Sequence, residues 1–198
     1  MKRILVMVFV TALCSLALAQ QPAQPSTSGA QAAPQGPPTV TRILHNQLRG
    51  VESEFVPAAE AMPDDKFNFA PTQGEFKGVR TFAQQVKHVA ATQYLVAAAI
   101  SGQAVPASAG TDENGPANLT SKADIVKYIK DSFAFAHQAL DSVNAENAAG
   151  MIKSPFGPGQ TTRLGMATLL VSHAFDHYGQ MAVYLRMNSI VPPASRGQ

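Results

Sequence analysis

Apolar residues recur at intervals of three and four through four separate stretches of this chain, and clusters of Gly, Pro and Asn divide them. That period belongs to helices that bury one face, so it constrains the fold more than any other feature. Leu44, Leu48, Val51, Phe55, Ala59 and Met62 mark the first helix. Gly50 weakens it by about 1 kcal/mol relative to Ala. Pro57 is expected to kink it or split off its last turn, and Pro63-Asp64-Asp65 stops it. Thr81 with Gln84 forms a capping box for the second helix, which runs to Ser101 and ends at Gly102. Its stripe is Phe82, Val86, Val89, Val96 and Ile100. Ser121 with Asp124 caps the third, whose stripe is Ile125, Ile129, Ser132, Ala136, Leu140 and Val143. Pro155, Gly157, Pro158 and Gly159 break the chain again. The fourth helix runs from near Thr161 to about Asn188, ahead of Pro192-Pro193. No convincing alternating β segment is seen. The expected fold is all-α: a four-helix bundle with long connections, in which neighbouring helices need not follow a simple up-down order.

Two segments precede this domain. Lys2 and Arg3, the apolar run Ile4–Leu18 and the small residues Ala17 and Ala19 follow the order of a secretory signal peptide, so residues 1–19 are read as an export signal with Gln20 as the first mature residue. The run is short for a membrane span, which needs about 20 residues. Lipidation at Cys14 would place bulky Leu13 where a small residue is usual. Residues 20–38 hold five Gln, five Pro and four Ala, with no charge and no large apolar side chain. Such a segment cannot offset its own chain entropy and is read as a disordered linker. Residues 39–194 then form the helical domain. The expected location is periplasmic or extracellular.

Composition excludes several functions. Cys14 is the only cysteine, so cleavage leaves no disulfide, thiolate ligand or cysteine nucleophile. Two of the fifteen basic residues lie in the signal, and the remainder balances the thirteen acidic ones. A neutral chain without clustered Lys and Arg is a poor match for nucleic acid. No membrane span is expected once the signal is removed, and a homodimer is compatible with such a bundle.

The chemistry lies in the fourth helix. At 100° per residue, Met166, Leu169, Leu170, His173, His177, Gln180, Met181 and Tyr184 share one face. His173 and His177 are one turn apart and point the same way, so they can share a metal ion. Ala174 replaces the Glu of a zincin HExxH, which excludes that protease mechanism. His88, on the flank of the second helix's stripe, is the candidate third ligand. It meets His173 at similar depth if the two helices run parallel, whereas an antiparallel pair needs an axial offset. His45 and His137 are read as surface or boundary residues. Spacing alone leaves two readings open, a three-histidine metal site and hydrogen-bonded core histidines.

The segments Thr81-Phe82-Ala83-Gln84-Gln85-Val86-Lys87-His88-Val89-Ala90 and His173-Ala174-Phe175-Asp176-His177-Tyr178-Gly179-Gln180-Met181 resemble the second- and fourth-helix motifs of the DinB superfamily, the latter being HxxxHxGQ. Residues 62–71, 183–188 and Val191-Pro192-Pro193 resemble its first connection and its exit. The resemblance covers about residues 39–194. It implies a four-helix bundle and a divalent metal held by His88, His173 and His177. Neutral imidazoles suit Zn, Ni, Fe or Mn, and three protein ligands leave positions open for water or substrate. Gln180 is placed to orient a ligand or water, or else to satisfy buried backbone. Asp176 faces sideways toward solvent, Tyr184 is core with its hydroxyl at the rim, and no residue is assigned as general base. Some superfamily members use low-molecular-weight thiols in transfer or isomerisation, and others are regarded as hydrolases. Such thiols are mainly cytosolic, which sets the thiol role against an export signal. Two functions follow: an exported metal-dependent hydrolase or transferase acting on a small molecule, and a non-catalytic metal-binding or stress-related bundle. Haem is disfavoured, because His173 and His177 share one face and no CxxCH motif is present.

Overall fold

The computed structural model describes residues 36–197. The segment read as an export signal and most of the expected linker lie outside these residues. Gly36–Pro38, the end of the linker, form no helix or strand. Four helices make up most of the rest: α1 (Val40–Ala61), α2 (Phe82–Ser101), α3 (Lys122–Leu140) and α4 (Arg163–Met187). No helix among the described residues is long and apolar enough to cross a membrane.

Local chemistry sets the helix ends. The Thr81 hydroxyl accepts from the Gln84 N–H at 3.2 Å, and the Gln84 amide oxygen accepts from the Thr81 N–H at 2.8 Å. This reciprocal pair satisfies two N-terminal donors of α2. Gly102 closes α2 at φ 74°, a left-handed conformation that costs glycine little. Thr39, Ser121 and Thr162 cap the other three helices through their hydroxyls. Of the two outcomes expected at Pro57, the split does not occur, since α1 stays helical to Ala61. Pro57 deprives the Ser53 carbonyl of its helical donor, but Ser53 is exposed and water can take that role.

The stripes of α1, α2 and α3 meet in one core, in which Leu48, Phe55, Phe82, Ile100, Ile129, Phe133 and Leu140 are fully buried. Phe55 of α1 meets Phe133 of α3 edge to face at 6.1 Å. Each of α1 and α2 packs against both α3 and α4. Side-chain pairings give the directions. Tyr184 meets Arg80, Gln180 meets Gln85, and Arg163 reaches the Ile100 carbonyl. So α2 and α4 run antiparallel. Thr41 with Val143 and His45 with His137 show the same for α1 and α3.

Two expectations need correction. Residues 151–162 contain a small antiparallel hairpin, β1 (Met151–Lys153) and β2 (Gln160–Thr162), with Ile152 opposite Thr161. Its three-residue strands bury no face, so no alternation marks them. In addition, the buried line of α4 is Ala167, Leu170, Ala174, His177, Met181, Tyr184 and Leu185. His173 lies on the flank of that line and Gln180 is exposed.

Candidate metal centre

His88 projects from α2 near its capped start, and His173 and His177 project from successive turns of α4. Because α2 and α4 are antiparallel, the three meet only with an axial offset. The length of α4 supplies it, 25 residues against 20 for α2. The ring centroids form a near-equilateral triangle with sides of 5.1, 4.9 and 4.5 Å. One nitrogen from each ring lies within 4.8 Å of the other two, and no other group of three His, Cys, Asp or Glu among the described residues converges so.

Hydrogen bonds fix which nitrogens converge. The Nδ1–H of His88 donates to the Glu113 carbonyl at 2.7 Å. The Nδ1–H of His177 donates to Oε1 of Gln85. Both rings are thereby left with Nε2 as the free lone pair, and Nε2 of His88 lies 3.2 Å from Nε2 of His173. Partners on the far nitrogen are what orient a metal-ligating imidazole. Gln85 is itself positioned, since its amide donates to Oε1 of Gln180 at 2.9 Å. Gln180 therefore acts through Gln85. The donor set is three converging imidazoles, two of them with Nε2 lone pairs turned inward, and it fits a divalent ion of the zinc, nickel, iron or manganese class.

Electrostatics keep the rings neutral. Burial is the main cause, pushing His173 down to about 4 and His177 down to about 3. The charge of His88 and of Arg80 acts in the same direction on both rings, that of His173 does so on His177, and Asp176 opposes the shift at His173. His88 is also lowered, chiefly by burial. Arg80 is anchored beside the site by Asn114 Oδ1 at 2.8 Å and Glu113 Oε1 at 3.0 Å.

Two cavities lie near the group, and His88 lines one of them. A pocket of about 420 Å³, mostly apolar, opens against the ring of His88. A more polar cleft of about 410 Å³ is lined by Arg80, Gln84, Gln85 and Gln180. Glu113 borders both.

His45 and His137 are not ordinary boundary residues. They are half-buried, with Nδ1 atoms 2.8 Å apart and ring planes within 4°. Their Nε2 atoms face Asp141 at 2.9 Å and Glu52 at 3.1 Å. This head-to-head arrangement is that of an N–H···N hydrogen bond and straps α1 to α3. Asp176 is exposed, and Tyr184 is buried with its hydroxyl donating to the Arg80 carbonyl at 3.1 Å. Gln85, the Glu113 carbonyl and Arg80 escaped the sequence reading. The signal for Gln85 was its place one turn before His88, on the same face of an apolar helix.

Comparison with known proteins agrees with this architecture. No curated protein sequence matches the chain. A DinB-like protein from Bacillus subtilis superposes with a TM-score of 0.57 at 18% identity, covering 74% of this chain and 92% of its own. A DinB-like protein from Bacillus cereus gives 0.59 at 18% identity, covering 78% and 96%. These likenesses establish the fold. The DinB superfamily sequence model matches residues 47–181. With a match over most of its length, four packed helices and both histidine motifs in place, the chain belongs to the DinB superfamily.

Proposed function

We propose that this is an exported metalloenzyme of the DinB superfamily, in which His88, His173 and His177 hold one divalent ion and a small molecule undergoes hydrolysis or group transfer. The observation that carries this reading is the convergence of three ring nitrogens, with the Nδ1 atoms of His88 and His177 tied to Glu113 and Gln85 so that their Nε2 lone pairs are free for an ion. The ion would supply Lewis acidity to a water or to a substrate oxygen or sulfur. The chain supplies the rest. Gln85 and the Glu113 carbonyl hold two imidazoles in the tautomer that binds metal. Arg80 brings positive charge toward the site, where it would favour an anionic head group or charge developing on oxygen. The cavity lined by His88 supports turnover over a sealed metal store, which would need no access.

Export rests on the order of Lys2, Arg3, the apolar run and Ala17-x-Ala19. Intact mass of the secreted product should begin at Gln20, and retention of Lys2 in a membrane fraction would oppose it. The metal reading is tested by elemental analysis and assay of the purified mature protein. One equivalent of metal and turnover of an ester, amide or thiol-acceptor panel are expected, both lost on chelation. A protein that takes up no metal from any of the four classes would overturn it.

A further inference from the structure

Resting on the metal reading above, we propose that the pocket beside His88 seats the neutral apolar group of the substrate, a single aryl ring or short branched alkyl chain, while the polar head is taken at the histidine group. His88 belongs to both places, since its Nε2 joins the converging nitrogens and its ring lines the pocket. Ala91 and Leu95 continue the wall along α2, Val105 closes it from the α2–α3 connection, and Phe156 overhangs it from the hairpin turn. Three separate segments thus converge on a cavity of about 420 Å³, within the range that holds small ligands.

Phe156 and Val105 have no folding reason to be where they are. They are 56% and 40% exposed, and neither belongs to the core. Large apolar side chains left in water around a cavity mark a surface meant to be covered. Their supports are built, not loose. The Phe156 N–H donates to the Ser154 hydroxyl at 3.2 Å, and the Ser154 N–H donates to the Gly159 carbonyl at 3.0 Å across the hairpin. On the connection, the Ala109 carbonyl accepts from the Tyr128 hydroxyl at 2.7 Å.

Charge narrows the occupant further. The charged groups on the pocket wall are two carboxylates, Asp112 and Glu113. Asp112 accepts from the Asn114 N–H, and Glu113 is paired with Arg80. Their cationic neighbours, Lys87 toward Asp112 and Arg80 on Glu113, lie off the wall, so an anionic tail would meet carboxylates on the wall, whereas a neutral apolar tail meets Leu95, Val105 and Phe156.

The test uses zinc-loaded mature protein and two probes that share a metal-binding head, acetohydroxamate and benzohydroxamate, titrated calorimetrically. Benzohydroxamate should bind at least about tenfold tighter. Phe156→Ala, at an exposed turn, should erase most of that preference without changing zinc stoichiometry or acetohydroxamate affinity. Thr92→Phe, which fills the pocket from α2, should block the aryl probe alone. Equal binding of the two probes by the parent, or a preference untouched by both variants, overturns the pocket assignment while leaving the metal site intact. Failure of the metal reading looks different: zinc is not retained and neither probe binds, and the assignment falls with it.

Discussion

Replacing Gln85 by Leu isolates the hydrogen bond that orients His177. Gln85 is 2% exposed and His177 6%. In the variant the Nδ1–H of His177 loses its acceptor and water cannot readily replace it, whereas exposed Gln180 can rehydrate. One buried unpaired donor costs about 1–3 kcal/mol, and the added apolar contact of Leu offsets part of this. For a domain of this size each 1 kcal/mol moves the melting midpoint by about 2–4 °C, so a fall of about 2–8 °C is expected in chelator. The effect on metal is separate. Loss of such an orienting partner weakens affinity by about 10–100-fold, or about 1.4–2.7 kcal/mol. The physical route is tautomeric, since without the Gln85 oxygen the His177 proton is free to move to Nε2, which then cannot bind metal. Zinc titration against a competing chelator measures the affinity, and melts in chelator measure the fold. Gln180→Leu should show the same effect, but smaller, because it acts one bond further out. A folded Gln85→Leu protein that binds zinc within twofold of the parent would rule out this orienting role for Gln85.

Other consequences follow from the same geometry. His173 and His177 titrate at about 4 and about 3 when folded, against 6.5 unfolded. Between those values the unfolded chain binds more protons, so the metal-free protein should lose stability as pH falls below about 6.5, by at most about 1.4 kcal/mol per pH unit for each ring. Urea melts from pH 7 to 4 should show this slope, and a flat profile shared with a His173→Ala/His177→Ala variant would contradict it. Gly50 sits inside α1 with open space where a Cβ would go, so Gly50→Ala should raise the midpoint by about 2–4 °C; a fall would mean α1 is strained there. His137→Gln should loosen the α1–α3 strap by about 1 kcal/mol in melts. It should leave zinc affinity unchanged, and a parallel loss of zinc binding would place that pair in the metal centre.

The four helices were legible because their determinants are local. The Thr81–Gln84 box, the Ser121 cap and the stripes through Phe55, Val86 and Ile129 each act within a few residues of chain. The three histidines were legible for a different reason, since the one-turn spacing of His173 and His177 and the two motifs could be read directly. What could not be read was register. The offset that brings His88 to the α4 pair depends on how far α4 overruns α2. The strap of His45 to His137 joins residues 92 apart, and no local pattern announces such a pairing. The hairpin at 151–162 escaped because it is held by backbone bonds and buries no face. Gln180 was placed on the inner face of α4 because an ideal wheel ignores which side the neighbours cover, and α2 and α1 cover the line through Ala174 and His177 instead.

An anomalous difference map from a zinc-soaked crystal would locate the ion among the three histidines. One strong peak is expected about 2.0–2.1 Å from Nε2 of His88, His173 and His177, with the Nδ1 contacts to Glu113 and Gln85 retained. A map with no peak among these rings, or with zinc bound through Nδ1 of His45 and His137 instead, would contradict that placement.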